Sequence, residues 1–339
     1  MQWPIYRLTF KTPLHIGQEG IGAEKLVPYV PSDTLWGALV SMHFKLGLPF
    51  DFEQLPFRLS STFPFFKDRL FLPAPMGALD YLLTEAAQTD ARQLKKVKKI
   101  QFVDQALFEK LINGEKPEFS SLHFPQKQTN VALLNKCEAL DQEAIYAIYE
   151  VPRVTVDRYS NSGAEGQIFY FSQLVFNQQA GLYFLVWFRD EQARYHFEAA
   201  LRLLADEGLG ADRTVGRGFF SFSREQMELS VPQKADYFTT LSLYFPKQSE
   251  LSKILGPSSY FRLVKRKGYA AHEGLRGFRR KMVRMFAEGS VFPKPASGDS
   301  FWGMNPLVLE KKADSRIAFD VFRYGEAFAL PVKRAEDGS

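Results

Sequence analysis

Cysteine is almost missing: Cys137 stands alone among 339 residues. That excludes an intrachain disulfide and a cysteine-held zinc site. Histidine is also scarce. His15, His43, His123, His196 and His272 are scattered, with no pair at metal-ligand spacing. No metal, no cofactor and no metalloenzyme chemistry are therefore expected. Long hydrophobic runs are lacking. The longest, such as Leu182 to Phe188, have strand length and fall far short of a membrane span. Met1-Gln2-Trp3-Pro4 shows neither the basic nor the apolar part of a signal peptide. The expectation is a soluble, cytoplasmic protein.

Aromatic residues are plentiful, with 32 Phe. They promise large cores or stacking surfaces. Lys and Arg number 43 against 38 Asp and Glu, a net charge of +5. That surplus permits a polyanionic partner without demanding one.

Ile5 to Phe10 alternates as a strand, with Tyr6, Leu8 and Phe10 on one side. A Gly-rich loop, His15 to Gly22, follows. Pro31-Ser32-Asp33-Thr34 reads as a helix start, with Ser32 as cap and Asp33 suited to the positive dipole end. Leu35, Leu39, Met42 and Leu46 form its apolar stripe, and Gly47 and Pro49 end it. Residues from about 50 to 150 are irregular and read as an insertion, with a basic knot at Lys95, Lys96, Lys98 and Lys99. Ile168 to Phe176 and Leu182 to Phe188 read as a hairpin. Asp190 opens a helix with Ala193, Phe197, Ala200, Leu201 and Leu204 buried, and Phe219 to Ser223 closes the unit as a strand.

The order β, α, insertion, β, β, α, β is the ferredoxin-like arrangement. The fold class expected is α+β: two ferredoxin-like (RRM-like) domains in tandem. The first spans 1–232 and holds the insertion and a glycine loop at 208–218. The second, 233–339, begins after Pro232 and repeats the motif in degenerate form.

The glycine loop is the most informative stretch. Gly208, Gly210, Gly216 and Gly218 lie there with Arg213, Thr214 and Arg217. It is neither a Rossmann fingerprint nor a Walker loop. Glycines let a backbone approach closely, and arginine forks fit phosphate. An RNA-backbone clamp, with room for the RNA at Gly210 and Gly216, is one reading. A tight helix-to-strand turn is the other, and the two are compatible. Arg217-Gly218-Phe219 with Phe222 gives only an incomplete echo of an RNA-recognition-motif signature.

Three features together resemble the RAMP superfamily of CRISPR-associated RNA-binding proteins. They are the ferredoxin-like order with its glycine loop, the pair Leu14-His15-Ile16-Gly17 and Pro31 to Leu39, and the segment Lys281 to Phe292. Within that superfamily the combination is similar to the subunit-4 family of the type III-A (Csm) effector complex. The resemblance implies a non-catalytic subunit in antiviral defence. It would hold the 5′ handle of the CRISPR RNA and dock the large polymerase-like subunit and a backbone RAMP subunit. It also implies that Arg153 to Gly166 is a thumb-like element, where Arg153 and Arg158 suit phosphates and Tyr159 suits a base.

Between 262 and 284 basic residues are dense, among them Arg279 and Lys281, and Glu273 is the sole acid. Phosphate binding or a solvated hairpin face would each explain them. RNA-binding candidates are thus His15, Arg153, Arg158, Tyr159, Gly208, Gly210, Arg213, Thr214, Gly216, Arg217, Gly218, Arg279 and Lys281. The rival functions are a type III-B equivalent and a metal-independent CRISPR RNA-processing endoribonuclease using His43 or His15. A helical His normally packs, and Asp33 reads as a cap rather than a catalytic acid.

Overall fold

The computed structural model describes residues 1–17, 26–89, 91–156, 163–270, 277–294, 302–317 and 319–334, without the side chains of 85–91 and 155–167. Arg158, Tyr159, Glu273 and His272 fall outside the described residues.

The first half contains β1 (Gln2–Phe10), α1 (Ser32–Lys45), β2 (Phe57–Leu59), β3 (Phe63–Phe66), β4 (Arg69–Pro73), α2 (Asp80–Thr89) and α3 (Ala91–Lys99). It continues with β5 (Phe102–Asp104), α4 (Gln105–Ile112), β6 (Val131–Ala132), α5 (Glu138–Gln142), β7 (Tyr146–Val156) and β8 (Gly163–Phe176). It ends with β9 (Ala180–Phe188), α6 (Glu191–Glu207) and β10 (Phe220–Glu228). One sheet runs in the order β10-β1-β9-β3-β4-β5-β6, with β2 also paired to β9.

Alternation along β1 and β9 gives this sheet two covered faces. Tyr6, Leu8, Leu182, Phe184 and Val186 pack under α1 and α6. Ile5, Tyr183 and Leu185 point the other way, into a core shared with α4 and with Leu241, Phe328 and Leu330 of the second half. The α6 face is as its sequence predicts: Ala193, Phe197, Ala200, Leu201 and Leu204 are buried, and the Asp190 carboxylate accepts the Ala193 N–H at 2.7 Å.

Two expectations fail. The strands Ile168–Phe176 and Leu182–Phe188 do not pair with each other. β8 pairs with β7 in a separate two-stranded arm, and the place beside β9 is taken by β2 and β3. Residues 50–150 are therefore not wholly an insertion: β2 and β3 belong to the central sheet, and β4 to β6 extend it. β2 and β3 have three and four residues and lie among prolines, too short for a period to show. Ile168, Phe169 and Tyr170 look like core residues in sequence yet are exposed on the arm.

The second half contains β11 (Tyr237–Thr240), α7 (Gln248–Ile254), β12 (Leu263–Arg266), β13 (Val283–Phe286), β14 (Val291–Pro293), β15 (Leu307–Leu309), β16 (Val321–Phe322) and β17 (Ala329–Val332). Its three-stranded sheet has the order β14-β11-β17, while β12 and β13 form a separate hairpin. Architecture is thus mixed α+β throughout. No helix among the described residues is long and apolar enough to cross a membrane.

Candidate nucleic-acid interface

The glycine loop leaves α6 at Gly208 and returns into β10, lying on the segment Pro13 to Ile16. Ala211 N–H donates to the His15 carbonyl at 3.0 Å, and Gly218 N–H to the Pro13 carbonyl at 3.0 Å. At Gly210 a Cβ would stand 2.5 Å from the His15 carbonyl oxygen, and at Gly218 1.9 Å from that of Leu209. Both positions have positive φ. The space at Gly210 is therefore used by the chain itself, which corrects the expectation that RNA backbone lies there. Gly216 differs: its φ is 81°, and nothing lies within 4 Å of a built Cβ.

The arm is fastened to this loop at its base. Arg153 pairs with Asp212 at 2.5 Å, and its guanidinium lies 4.1 Å from the centre of the Phe171 ring. His15 stacks on Phe171 with ring centres 4.3 Å apart, and its Nδ1 lies 2.5 Å from the Ser172 carbonyl. His15 is thus a packed wall residue. Arg213 stands 3.9 Å from Glu207, Thr214 is exposed, and Arg217 is half-buried with no ion pair among the described residues.

A cleft of about 760 Å³ opens between this loop and the second half. His15, Gly208, Gly210 and Arg213 line one side; Arg266, Lys267, Tyr269 and Arg280 line the other. Its floor is the start of α1. There Asp33 does not cap the helix, since no side chain caps α1. The serine intended as cap, Ser32, instead accepts the Leu243 N–H at 3.0 Å, tying α1 to the second half. Asp33 is buried and takes both Arg266, at 3.0 and 2.8 Å, and Arg323. Burial alone would raise its pKa, but the two guanidiniums outweigh that and hold the carboxyl well below the usual range.

The third arginine has no such partner. Arg280 makes no ion pair among the described residues, and its buried Nε has no hydrogen-bond partner. Burial first, then Arg323, push it down to about 10; Arg266 adds to this and Asp33 opposes it. Three guanidiniums thus face one carboxylate at the cleft, a surplus of buried positive charge. Such a surplus is costly unless an anion completes it.

The other basic candidates divide. Arg279 donates from Nε to the Tyr269 hydroxyl at 3.2 Å, beside the cleft. Lys281 is drawn away: its Nζ pairs with Glu310 at 2.6 Å. Arg266 and Arg280 belong to the basic run noticed in sequence, but nothing local separated them from its exposed members. Alternation in β12 could have helped, since Val264 and Arg266 are half-buried while Leu263 and Lys265 are exposed. Arg323 was missed. Its one signal is a lone cation between Val321-Phe322 and Tyr324.

His43, the nuclease candidate, is buried on α1. Its Nδ1 meets the Leu39 carbonyl at 3.0 Å, and burial lowers its pKa. Among the described residues no three His, Cys, Asp or Glu gather as a metal site.

Known proteins agree with this architecture. A Thermococcus onnurineus (strain NA1) protein named CRISPR system Cms protein Csm4 is 27% identical over 333 residues, covering 93% of this chain and 97% of that protein. A protein of the same name from Methanocaldococcus jannaschii is 22% identical, covering 88% of each chain. The crystal structure of a Csm3-Csm4 subcomplex of a type III-A CRISPR-Cas interference complex contains a chain with the same fold, at a TM-score of 0.64 and 18% identity, covering 98% of this chain and 100% of that one. A Csm1-Csm4 cassette with pppApA matches at a TM-score of 0.60 and 20% identity, covering 99% and 100%. The model of the RAMP superfamily matches residues 7–221, and that of the CRISPR Csm4 C-terminal domain matches residues 233–332. The chain belongs to the RAMP superfamily and carries a CRISPR Csm4 C-terminal domain.

Proposed function

We propose that the chain is a non-catalytic, RNA-holding subunit of a type III-A (Csm) effector complex, with the backbone of the CRISPR RNA 5′ handle lying in the cleft. The observation that carries this is the unpaired Arg280 beside the Asp33–Arg266–Arg323 cluster. A phosphate supplies the missing negative charge, and arginine presents a fork that matches it. Gly216, Arg217 and the exposed Thr214 border the same opening, while Tyr269 offers a ring for stacking. The names of the relatives support the assembly: structures pair such proteins with Csm1 and with Csm3. The large subunit and a backbone RAMP subunit are accordingly the proposed partners, in the cytoplasm.

On this reading the two halves are ferredoxin-like units meeting near 232–233. The order β10-β1-β9-β3 with α1 and α6 supports the first, and β14-β11-β17 with α7 supports a reduced second. The cleft then lies between two such units.

The test is co-expression with the large and backbone subunits, followed by sequencing of the RNA recovered. An RNA of defined 5′ end, bound and not cut by the chain, is expected. Binding should weaken with salt, log K falling by about 0.7 per log unit of salt for each phosphate contact on a single strand. RNA of random ends, a flat salt response, or cleavage lost in His43→Ala would each contradict the proposal.

A further inference from the structure

A second cavity, about 540 Å³, lies on the other side of β12. Arg266 lines both it and the cleft. The two openings are thus separated by one strand, and the guanidinium that meets Asp33 also faces Glu288. The walls of this cavity are flat and apolar: Tyr29, Phe63, Phe102, Pro28 and Pro73 contribute. Arg262 stands exposed at its edge. Its size is that of a small-ligand site.

One buried acid sits in this wall. Glu288 is 6% exposed. The Tyr29 hydroxyl donates to one of its oxygens at 3.1 Å, and the Ser61 hydroxyl donates to the other. Both neighbours therefore address the carboxylate as an acceptor. A carboxylate has about four acceptor positions, so roughly two stay open toward the cavity. An apolar slot with one acceptor-only group is poorly suited to a phosphate, since like charges repel. It suits a flat heterocycle that carries N–H donors on its edge.

We propose that this cavity receives one unstacked base of the RNA whose backbone lies in the cleft, and that Glu288 selects a base with an exocyclic amino group over uracil. The inference rests on the RNA reading given above. A strand passing over Arg266 has its phosphate on the cleft side, and its base turns into the cavity between Tyr29 and Phe102. Cytosine meets Glu288 with its amino group. Uracil has a carbonyl oxygen at that place, acceptor against acceptor.

The test uses the full chain and two fluorescent RNA octamers, oligo-C and oligo-U, at near-physiological salt. As pyrimidines they differ little in stacking. The wild type should bind oligo-C about tenfold more tightly. Glu288→Gln should bring the ratio close to one, since an amide both donates and accepts. Should that variant fail to fold, Val264→Trp on β12 fills the cavity from its exposed side and leaves Glu288 intact; it too should equalise the two RNAs without weakening oligo-U. Equal binding by the wild type, or a preference kept by folded Val264→Trp, overturns the base pocket and leaves the RNA reading standing. Failure of the wild type to bind either octamer overturns the RNA reading and the pocket together.

Discussion

Asp33→Asn is expected to destabilise the fold by about 3–5 kcal/mol, the range for breaking a buried ion pair and stranding its partner charge. Here two partners are stranded, Arg266 and Arg323, next to a third guanidinium that has none. A helix cap alone would contribute about 0.5–2 kcal/mol. The pH dependence has a definite sign. The folded-state pKa of Asp33 is depressed, so its contribution is complete above the unfolded carboxylate value, near ~4. It is lost as pH falls below that value toward the folded one. Denaturant midpoints near neutrality and in mild acid check both points. Wild type should lose stability in acid, and Asp33→Asn should lack that portion of the loss. A difference at neutrality of less than about 1 kcal/mol would reduce Asp33 to a terminal residue of α1.

The second large effect concerns the loop. Gly218→Ala drives a Cβ to 1.9 Å from a carbonyl oxygen at φ 75°, and Gly210→Ala meets one at 2.5 Å at φ 92°. Each should cost on the order of 3 kcal/mol, from clash and left-handed strain together. Gly216→Ala has open space and only the conformational cost, about 1 kcal/mol. Thermal melts should rank the three in that way. Equal losses at all three would mean that the loop does not lie on Pro13 to Ile16 as described. Among folded variants, only a bulky residue at Gly216 should disturb RNA while sparing stability.

Much of the first half was legible because its long elements carry periods. The stripes of α1 and α6 and the alternation of β1 follow from one apolar face each. Leu46 is the exception, exposed after Gly47 turns the chain away from the stripe. The central strands β2 and β3 were hidden by their brevity. The arm was mistaken for core because Ile168, Phe169 and Tyr170 carry the same apolar signal on a surface as inside. The glycine loop was legible as a feature and only partly as a function. Sequence shows four glycines; only the structure shows that Gly208, Gly210 and Gly218 meet the chain's own carbonyls while Gly216 is open. The charge cluster was least legible. Asp33, Arg266 and Arg323 are 233 and 290 residues apart along the chain, and nothing local joins them.

The central claim is that the cleft holds surplus positive charge for a phosphate backbone, and Arg280→Met tests it most directly. Methionine keeps much of the length and removes the charge that Arg323 and Arg266 oppose. The free protein should melt at the same temperature or higher, because a buried unpaired cation is gone. Handle RNA should bind about tenfold or more weakly, because a charge-assisted phosphate contact is gone. Opposite movement of melting temperature and affinity in one variant is the predicted result. A lower melting temperature with unchanged RNA affinity would contradict it, and would make the arginine cluster a structural bolt between the two halves.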